Sequence, residues 1–203
     1  MIVDPADGPG TSVDPTYVAA VAGVRAGGAL LFGYVDTGYG CRAVAEIVAD
    51  AVAHRDWYGV TGIFLDQTPG PRHGGIEDAI AMLRDLGFAV ALNPGQPVID
   101  RRWVDLADHA IVFEGRATDY AQLRLPSWAR CYPAAKFWHL VYGVDQGSEA
   151  LAVMRRAASL HAGVVFVTDG TMPNSWRRLP PYWAEELAAL ATRGVPAIPG
   201  AAQ

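Results

Sequence analysis

Two carboxylates that follow apolar runs are the residues of this sequence best suited to acid–base chemistry. Asp66 follows the run 62–65, and Glu114 follows the run 110–113. A carboxylate that ends such a run is costly unless it is hydrogen-bonded, ligated or used. On alternate strands of a parallel sheet, the two carboxyl groups could approach to the separation of about 5 to 9.5 Å used in glycoside hydrolysis. The pattern predicts a general acid, for which the longer Glu114 is favoured, and a second carboxylate that acts as nucleophile, base or charge stabiliser.

Further polar and aromatic side chains fall at the ends of other apolar runs, or in the loops after them. Those predicted to bind hydroxyl or amino groups of a substrate are Tyr34, Asn93, Tyr142 and Asp169. Tyr39 and Trp176 stand in the following loops, where an aromatic ring can stack on the apolar face of a sugar. For any one of these residues the alternative is a structural role, as a helix cap or as cover for the core.

Seven short apolar runs, which alternate with helical stretches, position these residues. The runs end near residues 4, 34, 66, 93, 114, 142 and 169, and they are almost continuously apolar, as parallel strands buried on both faces are. Segments 14–26, 42–54, 75–86, 148–161 and 181–192 carry apolar residues at helical spacing. This alternation predicts an α/β fold with a parallel sheet, either doubly wound or closed into a barrel.

The glycine pattern favours the barrel. No GxGxxG or GxxxxGK[ST] motif follows an early strand, whereas polar residues end every predicted strand, as in a TIM-type (β/α) barrel. Only seven strands are visible, so we expect a first β-α unit to be missing in front of Met1; a seven-stranded or open ring is the alternative. Residues 1–194 are predicted to form this single barrel domain, and residues 195–203 a frayed tail.

Composition excludes several classes of function. The net charge is −5 and no stretch is rich in Lys or Arg, which argues against a nucleic-acid partner. No apolar run reaches the roughly 18 to 20 residues of a membrane span, and no signal peptide is visible in this chain, so its localisation is undecided. Two cysteines allow at most one disulfide, and neither CxxC nor HExxH is present, so neither a metal nor another cofactor is expected. The oligomeric state stays open.

Several segments together resemble a known family, the spherulation-specific family 4 (spherulin-4-like) proteins. The similar segments, in chain order, are DPADGPG (4–10), LFGYVDTGYG (31–40), WYGVTGIFLDQ (57–67), ALNPG (91–95), VFEG (112–115), HLVYGV (139–144) and VTDGTMPNSWRRLPPYW (167–183). The resemblance implies a TIM-type barrel and a likeness to secreted microbial glycoside hydrolases that cut galactosamine-containing polysaccharides. It also implies that Asp66 and Glu114 occupy the catalytic positions, and that the chain is extracellular if a segment precedes Met1.

Gln67 departs from the family pattern. Hydrolases of the family carry a second acid beside the Asp, and glutamine cannot exchange a proton near neutral pH. We therefore predict a hydrolase of an α-linked galactosamine or N-acetylgalactosamine polymer, in which Gln67 contacts the substrate. The alternatives are a non-catalytic carbohydrate-binding barrel and a cytosolic α/β enzyme that acts on a small metabolite.

Overall fold

The protein is an α/β chain with seven parallel strands whose order in the sheet is their order in the sequence. The computed structural model describes residues 1–70, 74–95 and 100–191. The chain divides into two compact units, Met1–Ile111 and the residues from Val112 onward. The α/β class and the seven strands are confirmed. The closed barrel, the additional β-α unit and the single-domain boundary stay predictions, and the tail at 195–203 lies outside the described residues.

The first unit alternates strands and helices up to the start of β5. In chain order its elements are β1 (Ile2–Val3), α1 (Pro15–Ala26), β2 (Phe32–Asp36), α2 (Val44–Tyr58), β3 (Gly62–Asp66), α3 (Gly74–Asp85), β4 (Ala89–Leu92), α4 (Arg101–Leu106) and the first residues of β5 (His109–Arg116). Asp14 caps α1 by accepting the Thr16 N–H at 2.8 Å, and Gly59 ends α2 at φ +62°.

The second unit contains the rest of β5 and the elements after it. These are α5 (Ala117–Tyr120), β6 (Phe137–Tyr142), α6 (Gly147–Ser159), β7 (Val164–Thr168) and α7 (Trp183–Ala191). Ala150, Met154 and Ala157 form the buried stripe of α6. Strands β6 and β7 pair from Trp138↔Val164 to Tyr142↔Thr168, so their carboxyl ends are level.

The register of the first unit brings polar strand ends side by side. Asp36 at the end of β2 pairs with Asp66 at the end of β3, and Leu65 pairs with Leu92, the residue before Asn93. The aliphatic residues of β3 and β4 are buried, including Ile63, Leu65 and Leu92. A rigid apolar sheet therefore presents Asp36, Asp66 and Asn93 at one edge.

Candidate functional site

Asp66 accepts hydrogen bonds from side chains on both neighbouring strands. The Tyr34 hydroxyl on β2 donates to Oδ2 at 2.7 Å, and the Asn93 amide after β4 donates to Oδ1 at 2.7 Å. Both carboxylate oxygens are thus held by groups that the parallel register brings alongside. This arrangement fixes the orientation of the carboxylate before any ligand arrives.

The surroundings of Asp66 act on its pKa in opposite directions. Burial raises the pKa of this carboxyl above its ordinary value, and the negative charge of Asp36 adds to the effect. The donors Tyr34, Asn93 and the backbone N–H of Gln67 lower the pKa, but they do not cancel the effect of burial. Asp4, after β1, is also repelled by Asp66, and burial raises the pKa of Asp4 as well. A carboxyl with a raised pKa can exchange a proton nearer to neutral pH than an exposed aspartate can.

A histidine of helix α2 contacts the backbone of Tyr34. His54 is fully buried, and its Nε2 lies 2.7 Å from the Tyr34 carbonyl oxygen. Burial lowers the pKa of His54, so the neutral ring donates its Nε2–H to that carbonyl. The Tyr34 ring stacks on Phe64 with centroids 6.2 Å apart. Burial and the hydrogen bond to Asp66 raise the pKa of the Tyr34 hydroxyl, which stays protonated as a donor.

Asn93 is 3% exposed and joins the ends of β3 and β4. Its backbone N–H donates to the Leu65 carbonyl at 2.8 Å, and its Oδ1 accepts the Gly95 N–H at 3.1 Å. The side chain that donates to Asp66 is therefore fixed at both of its ends. Sequence analysis predicted Asn93 as a substrate contact; in this structure it holds the carboxylate.

Gln67, which follows Asp66, and Tyr39, in the turn after β2, both adopt left-handed backbone conformations. Gln67 has φ +49°, and its carbonyl accepts the Thr37 hydroxyl at 2.7 Å. Tyr39 has φ +53°, lies in the short 3₁₀ turn Gly38–Gly40 after β2, and is 63% exposed. The predicted role of each as a substrate contact stays a prediction.

In the second unit, Glu114 is held by an indole. The Trp176 Nε1–H donates to Glu114 Oε1 at 3.2 Å. The Trp176 ring also packs against Tyr142, with centroids 5.9 Å apart, and against Phe166, with centroids 6.1 Å apart. The structure therefore brings together Glu114, Tyr142 and Trp176, three residues that the sequence predicted for the site.

Asp169, after β7, is the fourth predicted residue of the second unit. Its Oδ2 forms an ion pair with Arg178 at 2.6 Å, whereas its buried Oδ1 has no hydrogen-bond partner among the described residues. This carboxylate is turned inward and can accept one more donor. Asp66 and Glu114 belong to different units, so their convergence on one pocket stays a prediction.

Three residues of these surroundings were not predicted from the sequence. They are Thr37, His54 and Arg178, which contact Gln67, Tyr34 and Asp169 respectively. The available signal for Thr37 was its place in the turn after β2. His54 and Arg178 gave none, since the first lies within a helix and the second in a loop.

The described residues contain neither a metal-binding cluster nor a membrane-spanning helix. No group of three or more His, Cys, Asp or Glu side chains there is arranged to hold a metal ion. None of the described helices combines the length and apolar character needed to cross a membrane. Cys41 and Cys131 are exposed free thiols.

Comparison with known proteins decides the family. The model of spherulation-specific family 4 matches residues 1–190. The chain belongs to this family. Spherulin-4 of Physarum polycephalum is 28% identical to this chain over 206 residues, which cover 93% of this chain and 61% of that protein. The chain thus spans less than two thirds of the length of that relative.

A solved structure shares the fold of this family member. The crystal structure of Aspergillus clavatus Sph3 in complex with GalNAc superposes with a TM-score of 0.78 at 22% sequence identity, covering 94% of this chain and 84% of that one. At this level of identity the likeness shows the α/β fold with its seven parallel strands.

Proposed function

We propose that this member of spherulation-specific family 4 is a glycoside hydrolase that cuts an α-linked polymer of galactosamine or N-acetylgalactosamine. The observation that carries the proposal is the Asp66 carboxyl, which accepts from Tyr34 and Asn93 at 2.7 Å each and whose pKa is raised by burial. A carboxyl that is oriented by fixed donors and titrates nearer to neutral pH suits acid–base catalysis at a glycosidic bond. The Sph3 structure with bound GalNAc supports an amino-sugar ligand for the shared fold.

Glu114 is the proposed second carboxylate of the reaction. It protonates the leaving oxygen, while Asp66 acts as nucleophile, base or stabiliser of the oxocarbenium-like transition state. If the substrate carries a 2-acetamido group, its own carbonyl can be the nucleophile, and Asp66 then orients that group. The strands would form part of a TIM-type barrel, in keeping with the family resemblance.

The remaining polar and aromatic residues are assigned to substrate binding. Gln67, Asp169 and the hydroxyl of Tyr142 supply hydrogen bonds, and the rings of Tyr39 and Trp176 supply faces for the sugar. Tyr34 and Asn93 act mainly through Asp66, since their polar groups already contact that carboxylate. This division predicts that losing Tyr34 or Asn93 changes turnover more than affinity.

The test is an assay of the purified protein on α-linked galactosamine polymers of different degrees of acetylation. Asp66→Asn and Glu114→Gln should each lose at least about a hundredfold of the turnover rate, because each removes an acid or base. Asp56→Asn and Glu149→Gln are matched controls at exposed positions and should keep the wild-type rate. Turnover that survives both Asp66→Asn and Glu114→Gln would refute the assigned roles.

A second candidate function is favoured by Gln67. A neutral amide follows Asp66 at the place where hydrolases of the family carry an acid, and this favours a barrel that binds the polymer without cutting it. The two functions differ in outcome: a binding protein retains the polymer on an affinity column without releasing reducing ends, and Glu114→Gln leaves that retention unchanged.

A further inference from the structure

Tyr39 is an exposed aromatic residue in a backbone conformation that residues with a side chain disfavour. Its φ is +53°, and the flanking Gly38 and Gly40 have φ values of +56° and +84°. A tyrosine stays in this region only where surrounding contacts determine it, and such residues are concentrated at functional sites. Because Tyr39 is 63% exposed, burial of its ring contributes little that could offset the cost. The conformation therefore points to a ligand contact and not to the stability of the fold.

Backbone hydrogen bonds close the turn 37–42, which carries Tyr39. The Thr37 carbonyl accepts the N–H of Gly40 at 3.0 Å and the N–H of Arg42 at 3.2 Å. The Thr37 N–H donates to the Asp66 carbonyl at 3.1 Å, which joins the turn to the end of β3. The turn therefore lies at the edge of the sheet that carries the Asp66 carboxylate.

The Arg42 side chain fastens this turn at its base. Its Nη1 donates at 2.7 Å to the carbonyl of Asp36, the last residue of β2. Its Nη2 pairs with Asp50 Oδ2 on α2 at 2.7 Å, and both side chains are partly buried. The stem of Arg42 packs over Gly38, where an added Cβ would lie 3.4 Å from Arg42 Cγ. One side chain thus joins the end of a strand, the turn after it and the next helix.

We propose that Arg42 is a positioning residue for substrate binding: it fastens the base of the turn 37–42 and so holds Tyr39 in place as a face on which a sugar ring stacks. The inference rests on the proposed function, in which the Tyr39 ring contacts the sugar. A ring that is already fixed loses less conformational freedom when a ligand binds, so Arg42 raises the affinity without contacting the sugar. If the polymer is cut, Arg42→Gln should raise KM and leave kcat unchanged, because the turn takes no part in proton transfer.

The test is a double-mutant cycle on the binding of an α-linked N-acetylgalactosamine polymer, with Glu114→Gln in every protein so that the polymer stays largely intact. Tyr39→Ala should weaken binding by about three- to tenfold, as expected for the loss of one stacked ring. Arg42→Gln should weaken it by about threefold when Tyr39 is present and should have no effect in Tyr39→Ala. An equal effect of Arg42→Gln in both backgrounds would overturn the proposal.

Arg84→Gln is the matched control. Arg84 on α3 pairs with Asp108 at 3.3 Å, as Arg42 pairs with an aspartate, but Asp108 precedes β5 and so lies at the amino ends of the strands. This variant should bind the polymer as its parent does. A loss as large as that of Arg42→Gln would assign the effect to any missing ion pair and would overturn the proposal.

Asp50→Asn covers the case in which Arg42→Gln folds poorly. It removes the charge that anchors Arg42 to α2 and leaves the bond from Arg42 to the Asp36 carbonyl in place. The loss of affinity should be smaller than in Arg42→Gln and should again be absent in Tyr39→Ala. A loss that persists in Tyr39→Ala would contradict the proposal.

A measurement without ligand separates this inference from the proposed function. The NMR order parameter of the Tyr39 amide should be about 0.85 in wild type and should fall toward about 0.6 in Arg42→Gln, while Arg84→Gln keeps the wild-type value. An unchanged order parameter in Arg42→Gln would overturn the role of Arg42 even if the polymer binds. A wild-type chain that binds no galactosamine polymer would refute the proposed function and this inference together.

Discussion

At the scale of single residues, Asp66 shows how a strand-end carboxylate is kept both buried and usable. Burial alone would disfavour its charge, and the Asp36 charge adds to this effect. The Tyr34 hydroxyl and the Asn93 amide offset part of that penalty. The balance leaves a pKa above the ordinary value, and each donor is a separate means of changing it.

Removing the Tyr34 hydroxyl should raise the pKa of Asp66 further. Tyr34→Phe keeps the ring that stacks on Phe64 and deletes only the donor to Oδ2. Loss of a charge-assisted hydrogen bond of this kind raises the pKa of the accepting carboxyl by about one unit. We expect the ¹³C NMR signal of the Asp66 carboxyl to titrate at higher pH, and any activity that needs ionised Asp66 to move its acid limb upward by the same amount.

Tyr17→Phe is the control for this measurement, since the Tyr17 hydroxyl donates to the Asp4 carbonyl and not to a carboxylate. It should leave the titration of Asp66 as it is in wild type. An Asp66 pKa that falls or stays constant in Tyr34→Phe would show that the hydroxyl is not a significant donor in solution.

The buried carboxyl of Glu186 should make the free energy of unfolding of the second unit depend on pH. This carboxyl is 3% exposed, its Oε1 has no partner among the described residues, and burial raises its pKa from 4.5 to about 7. The folded chain therefore holds the proton to higher pH than the unfolded chain, and the free energy of unfolding falls as the pH rises from about 4.5 to about 7. The expected loss is roughly 1–3 kcal/mol.

The check is a series of urea denaturations of the full chain between pH 5 and 8, roughly the range of the titration. Glu186→Gln should flatten the decrease, while Glu185→Gln, at the exposed neighbouring position, should keep it. Burial raises the pKa of Tyr182, and the charges of Glu186 and Asp169 add to this effect. Both variants keep Tyr182 and Asp169. An equally steep decrease in Glu186→Gln would assign the pH dependence to another group.

At the scale of elements, continuous apolar runs were sufficient to find all seven strands. The apolar run that precedes Asp169 corresponds to β7 (Val164–Thr168), and five helices were located to within four residues at either end. The second run was expected to end near Tyr34, whereas β2 (Phe32–Asp36) continues to Asp36. Gly33 lies inside β2, where His54 packs against it.

The candidate site was predictable only in part, for a physical reason. Side chains at or near strand ends, such as Asp66 and Glu114, can be found from the sequence, because an apolar run precedes each of them. Their partners come from other elements: Trp176 reaches Glu114 from a loop, and His54 reaches Tyr34 from α2. Short helices such as α4 and α5 were missed, because one or two turns leave no periodic pattern.

Helix α2 approaches strand β2 closely at Gly33, where there is no room for a side chain. A Cβ at this position would lie 2.5 Å from His54 Cγ, so Gly33→Ala must push the helix or the ring away. We expect a loss of about 1–3 kcal/mol in the free energy of unfolding, as for other overpacked cores. The displaced His54 should also release the Tyr34 carbonyl and weaken the contact between Tyr34 and Asp66.

Gly23→Ala in α1 is the comparison for Gly33→Ala, since a Cβ there meets nothing within 4 Å. Alanine is the better helix former, so this variant should gain roughly 0.5–1 kcal/mol. Denaturant unfolding of both variants gives the comparison. A Gly33→Ala protein as stable as wild type would mean that α2 is not held by this close contact.

At the scale of the whole molecule, charge is the property that acts on a polymer before any contact forms. The chain carries 21 acidic and 16 basic residues, a net charge of −5. In the first unit, burial raises the pKa of both Asp4 and Asp66; the charge of Asp66 adds to the effect on Asp4, and the charge of Asp36 adds to the effect on Asp66. A galactosamine polymer that has lost part of its acetyl groups is cationic, so both the net charge and this local group of acids favour its approach.

At low salt, a partly de-acetylated polymer should bind more tightly than the fully N-acetylated one. The difference should disappear as the ionic strength rises to about 0.3 M, because charges are then screened within a few ångströms. Equilibrium binding of both polymers across a salt series measures it. Asp4→Asn and Asp56→Asn each remove one negative charge, but Asp4→Asn should reduce the preference more. The charge of Asp66 acts on Asp4, whereas Asp56 is exposed and paired with Arg55. Equal reductions would assign the attraction to net charge alone, and equal binding of the two polymers at low salt would remove the electrostatic argument for a cationic substrate.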